Sequence, residues 1–413
     1  MKQMPDDCLK WRLMGLVLAA LWALAPSASH AGDITWTNAA GGNFSNPLNW
    51  NPNQVPGVSD TAIFNITTPG PYTVTWSVPV TNYRFKVERG TLDWNLGGHK
   101  YTVTYGGPVL GVAGNTLDMT VTNGQLAIAT SAPYYGIRGN TRVRVAANTS
   151  GNIGRLTSSG VESGATLIVD GAPLGQARYN VYAGGALVIT NNGSLDAGTG
   201  TISYNQGSVV RMAGTGTWTR LLNMTIDCGA SGGVYLSDGA QIKVWNFSGK
   251  PVLKSGSHVF LDNGQLFDTG TLFIEGGVIE GRGKIGSTTY NGGWIRPGGT
   301  AGVGVITNSA SLVNTNGSVR GTIELELNGT AAGASDRLAV LGTLHAFGTL
   351  AVSLIDGFKP DSGNTFDILD FTSTEGEFET LDLPGAEANW DIKKLYTTGE
   401  IRYRPTGTVL MVQ

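Results

Sequence analysis

GATLIVDG (Gly164–Gly171), GGALVITNNGSL (Gly184–Leu195), GSVVRMAGTGTW (Gly207–Trp218), GGVYLSDGAQIKV (Gly232–Val244), GSHVFLDNGQLF (Gly256–Phe267) and GTLFIEGGVIEGRGKI (Gly270–Ile285) are variants of one unit. Each opens on glycine, runs through a short stretch rich in Val, Ile and Leu, and closes on another turn cluster. β-branched runs bounded by Gly, Asn and Asp are strands. They follow one another too closely for intervening helices, and no segment carries a sustained 3.6-residue apolar period. The unit recurs at a drifting spacing of roughly 20 residues, as in a β-solenoid whose coils vary in loop length. One coil cannot bury its inward face; stacked coils share a continuous core. Tight turns between the strands account for 61 Gly in 413 residues. Strand spacing alone also permits an antiparallel sandwich or a propeller.

The expected fold is all-β: a right-handed parallel β-helix, the hand following the general preference of parallel crossovers. Alternation places Leu167, Val169, Leu187, Ile189, Val209, Val244, Val259, Leu261, Leu272 and Ile274 inside and Thr190 outside.

Residues 1–31 read as a signal peptide. Lys10 and Arg12 precede the apolar run Leu13 to Leu24, and Ser29-His30-Ala31 supplies a small-residue cleavage site. The run is shorter than the ~20 residues that span a bilayer. The expected product is exported, to the exterior, the cell surface or the periplasm. The net charge is −3 and no basic stripe occurs, which argues against nucleic acid as partner. Cys228 is the sole cysteine beyond the leader. It reads as a small buried apolar residue, with a reactive thiol or intermolecular bridge as the alternative.

Residues 32–105 form a Trp-rich segment expected to cap the first coil. Trp36, Trp50, Trp76 and Trp94 fall here. An open solenoid end exposes unpaired edges and core, which aromatic side chains can plug. Trp36 and Trp50 are also candidate carbohydrate contacts, because indole faces stack on sugar rings. Residues 106–300 are expected to hold the coils. Within them, Pro133–Asn140 reads as an extruded loop exposing Tyr134 and Tyr135, either as a second carbohydrate contact or as local packing.

Trp36, Gly41-Gly42, Phe44, Asn49-Trp50, Pro56, Asp60 and Phe64 match the opening of many exported, glycine-rich bacterial β-helix proteins. Gly276-Gly277-Val278-Ile279-Glu280-Gly281-Arg282-Gly283-Lys284-Ile285, Ile295-Arg296-Pro297-Gly298, Ser335-Asp336-Arg337-Leu338 and Leu395-Tyr396-Thr397-Thr398-Gly399 match their later regions. Gly299-Thr300-Ala301 departs from the usual Asn-Ser-Pro. The chain thus resembles autotransporter passengers and proteins with autotransporter-associated β-strand repeats or a PEP-CTERM sorting tail. The resemblance covers both ends and the last coils, and implies a fold rather than an activity. In residues 301–413, clean alternation at Ile323, Leu325 and Leu327 is expected to form a C-terminal antiparallel β region. No membrane barrel, anchor helix or sorting tail follows, so release or noncovalent retention is expected.

No catalytic, cofactor-binding or metal-ligating set is identified. The leader aside, no Asp-Asp pair occurs, and His99, His258 and His345 lie in three separate regions. Glu275, Glu280, Arg282 and Lys284 cluster in sequence, but read as solvated charges flanking turns. Zinc spacings, P-loops, Rossmann fingerprints and calcium-binding nonapeptides are absent. The functional expectation is a secreted or surface adhesive solenoid contacting extracellular polysaccharide or a cell-surface protein. The alternative is a polysaccharide lyase or hydrolase on the same scaffold.

Overall fold

Alternating apolar residues and glycine-bearing turns build three strands per coil, and each strand pairs in parallel with its counterpart one coil on. The computed structural model describes residues 32–67, 70–105, 107–129, 135–152, 155–175, 178–198, 200–299 and 302–405. The leader and Tyr134 lie outside these residues. Strands make up 54% of the described residues, in a β-solenoid of about 12 turns.

Three parallel ladders form the faces. Face one stacks Asn140–Ala146, Thr166–Asp170, Ala186–Thr190, Val209–Ala213 and Gly233–Ser237. Face two stacks Ser194–Asp196, Trp218–Leu221 and Gln241–Val244. Face three stacks Thr201–Tyr204, Asn223–Ile226 and Val252–Lys254. His258–Leu266 and Val278–Ile285 each bend from face one to face two, with a register shift at the corner. Asn263 takes a left-handed φ of 62° there, a conformation asparagine tolerates.

Residues pointing inward are nearly solvent-free and mostly apolar, with polar exceptions such as Thr219, Thr289, Asn291 and Asn308. Leu167, Val169, Leu187, Ile189, Val244, Val259, Leu261, Leu272 and Ile274 are all buried. Val209 is not: Val210 and Met212 point inward, Val210 between Leu187 and Val234 in register. Two consecutive valines leave the parity open. Arg211 settles it, because a charged side chain without a buried partner must face water. Cys228 is buried, its Sγ 3.4 Å from Ser208 Oγ, and burial pushes its thiol up to about 11.

The Trp-rich segment is an aromatic plug. Trp36 packs edge-on to Trp50 at 5.0 Å, and Phe44, Phe64, Trp76, Phe85, Trp94 and Tyr101 complete the cluster. Parallel pairing already begins inside it, between Asp33–Trp36 and Thr61–Phe64. At the other end, Thr322–Leu327 pairs in parallel with Thr349–Leu354, and parallel coils continue to Thr380–Asp382. The antiparallel C-terminal region is present but compact: Thr365–Asp367, Trp390–Asp391 and Glu400–Tyr403 form a three-stranded sheet. No helix among the described residues is long and apolar enough to cross a membrane.

Candidate functional site

The aromatic residues singled out from sequence do not form a surface. Trp36 and Trp50 are each 1% exposed, and their indole N–H groups donate to the carbonyls of Asn38 and Phe44. Their faces belong to the plug, because the first coil has no neighbour to cover it. Tyr135 is also buried, at 4%, rather than exposed on a loop, and burial raises its hydroxyl pKa.

Side chains exposed on the coils line up instead, because in-register parallel strands repeat each outward position about 4.8 Å apart. On face two, one such row reads Trp218, Gln241, Gln265, Lys284 and Thr307. From Gln241 to Thr307 it forms a wall of an open groove of about 910 Å³ that follows the corner, also lined by Asp262, Asn263, Arg282 and Gly304, and Trp218 stands one coil before it. The groove offers amide donors and acceptors, two cations and one carboxylate. Exposed aromatics gather at its head. Lys243 Nζ lies 5.1 Å from the Trp218 ring centre, and Arg220 sits 4.3 Å over Trp245 while pairing with Asp196. Trp245 is 45% and Phe247 88% exposed.

On face one, an outward row runs Arg211, Tyr235, Phe260, Glu280 and Arg296 in register. The Tyr235 and Phe260 rings stack 4.6 Å apart at an interplanar angle of 4°, with Arg211 4.3 Å over Tyr235. The row enters a pocket of about 170 Å³ lined by Glu280, Arg296, Glu324, Glu326 and Asp336. Glu280 is not the solvated charge its sequence neighbours indicated. Glu275 is exposed and pairs with Lys254, but Glu280 is 5% exposed. The turn at Gly298-Gly299 lies over it. Gly299 has φ +55°, and a Cβ there would fall 2.9 Å from the Glu280 carboxylate.

Asp336 closes the pocket floor. Its Oδ1 accepts from Gly304 N–H at 2.7 Å and its Oδ2 from Glu326 N–H at 2.8 Å. Burial pushes its carboxyl up to about 7, against the lowering effect of those two bonds, and the neighbouring Glu326 adds to the rise. Glu326 is also shifted up, first by desolvation and then by Glu324 and Asp356. Among the described residues, no group of three or more His, Cys, Asp or Glu side chains converges as metal ligands do.

No family model matches the chain, and no curated protein matches it.

Proposed function

We propose that this protein is an exported β-solenoid, extracellular or on the cell surface, that holds polysaccharide non-catalytically through many weak contacts along its coils. The observation that carries the reading is the face-two row: Gln241, Gln265, Lys284 and Thr307 line a groove at the spacing of the coils, with Trp218 in register one coil before them. A polymer with repeating hydroxyls meets repeating amides, and each contact adds to the effective concentration of the next. The exposed indole of Trp245 and the half-buried one of Trp218 at the head supply apolar faces for sugar rings. The sequence adds a signal-peptide-like leader.

The competing reading, cleavage of a polysaccharide, draws on the face-one carboxylates. Asp336 and Glu326 are both raised there, and Asp336, at about 7, comes nearer to a general acid. Both its oxygens are taken by backbone N–H groups and the residue is fully buried, which favours a structural clamp.

Affinity electrophoresis through gels containing soluble polysaccharides tests the proposal. Retardation by at least one glycan, reduced in Trp218→Ala and Gln265→Ala/Lys284→Ala variants, is the expected result. Release of new reducing ends by the wild type would replace binding with catalysis. Migration unaffected by every glycan would remove the proposal.

A further inference from the structure

We infer that the face-one pocket is a subsite for a positively charged sugar residue, an amino sugar with a free ammonium group. The inference rests on the polysaccharide reading and names the sugar chemistry that a second face would select.

Four carboxyl groups and one guanidinium line the pocket. Arg296 is committed to Glu324, its Nε 2.7 Å from Oε2 though out of line with the N–H direction. Asp336 is occupied by two backbone donors. Glu280 is different. Its side chain is only 6% exposed, it makes no hydrogen bond, and its nearest basic atom, His258 Nδ1, stands 3.6 Å away, beyond hydrogen-bond length. That nitrogen is itself buried without a hydrogen-bond partner. A buried carboxylate lacking donors is costly. An ammonium brings three donors and the missing charge, and charge-assisted bonds of this kind are the strong ones.

The pocket is small, about 170 Å³ beside 910 Å³ for the face-two groove, and suits one ring substituent and its neighbourhood better than a peptide segment. A divalent cation fits poorly, since the carboxylates do not converge as ligands. A sugar is favoured over a lysine side chain by the apolar frame. Trp294 stands two residues before Arg296 on the same outward side, 39% exposed, and the stacked Tyr235 and Phe260 lead into the pocket from the preceding coils. A pyranose bearing an ammonium uses both the apolar frame and the charge.

The test is calorimetric titration with a glucosamine oligosaccharide, its N-acetylated counterpart and a neutral glucan of equal length, at about pH 6, where an amine is largely ammonium. The free amine is expected to bind at least about tenfold more tightly than the acetylated form. The Glu280→Gln/Glu326→Gln double variant should lose that preference and keep its affinity for the other two glycans. Glu275→Gln, outside the pocket, should keep the preference. If the double variant does not fold by thermal melt, Glu326→Gln alone is read in its place and should weaken the preference. Equal affinity for amine and acetylated forms, or a preference that survives the double variant, overturns the inference and leaves the polysaccharide reading standing. A lysine-bearing peptide bound as tightly as the amino sugar overturns it in favour of a peptide cation. Failure of all three glycans to bind overturns this inference, while the polysaccharide reading is then decided by the wider panel of glycans in the gel assay.

Discussion

At single residues, strand parity decides stability. Leu187 and Leu272 are both fully buried. Replacing either by Asp puts an unpaired carboxylate into the apolar stack, at a cost of several kcal/mol, enough to open the coil. Thr190 points outward beside Asp170, its Oγ1 3.5 Å from that carboxylate. Thr190→Asn keeps a polar side chain there and should cost well under ~1 kcal/mol. Thermal melts of the three variants rank them, and a Leu187→Asp melt as high as that of Thr190→Asn would contradict the register. Asp336 gives a second residue-scale prediction. Its carboxyl is raised from 3.8 to about 7, so the folded state holds a proton that the unfolded chain has lost between those values. The contribution of Asp336 to stability is therefore complete below about pH 4 and declines as pH rises to about 7. Asp336→Asn turns an amide N–H toward a backbone N–H and loses one accepted bond, so it should be less stable than the wild type at pH 5, by about 1–3 kcal/mol. Its melting temperature should vary less between pH 4 and 7. An identical pH slope in both proteins would show that the carboxyl titrates normally. Parity was readable wherever a charge sits among the apolar residues, as at Arg211. It was misread at Val209 because the branched pair was weighed without its charged neighbour.

At the scale of elements, the plug and the coil corners carry different burdens. Trp36 and Trp50 fill space that later coils fill with one another's Leu, Ile and Val. Trp→Ala at either should cost about 3–5 kcal/mol and leave the glycan affinity of the folded protein unchanged. Chemical denaturation and binding, measured on the same samples, separate the two outcomes; lost affinity with unchanged stability would return these residues to the list of contacts. The plug was legible because an aromatic cluster beside a glycine-rich repeat has an obvious structural task. The candidate site was not. Glu280 and Asp336 lie 56 positions apart in the chain, and they share a pocket only because the turn at Gly298-Gly299 folds back over both. The corner at Asp262-Asn263 shifts the register within a continuous strand. Counting alternation along His258–Leu266 therefore loses track of which face each residue joins. Parallel stacking past residue 300 was hidden for a related reason. A clean alternation such as Ile323, Leu325 and Leu327 reports one buried side, and that pattern is common to parallel coils and antiparallel sheets.

At the scale of the molecule, a solenoid converts coil count into length. The face-two groove draws side chains from five successive coils, represented by Gln241, Gln265, Lys284, Thr307 and Leu341. Four inter-strand spacings of ~4.8 Å give a span of about 19 Å. Each coil offers one weak contact, so the gain from lengthening a ligand is the gain from engaging one more coil. Affinity for oligosaccharides of increasing length should rise steadily and then level off once the ligand covers this span and the one further spacing to the Trp218 coil, about 24 Å. An added Gln265→Ala change near the middle should lower the plateau without moving it. Trp218→Ala, at the head of the row, should shift the plateau to shorter ligands, because Trp218 extends the contact by one further coil. Titrating a ladder of oligosaccharides against wild type and both variants measures plateau height and position separately. Affinity that is flat from the shortest ligand onward would mean a single local subsite, and the length of the solenoid would then have no part in binding.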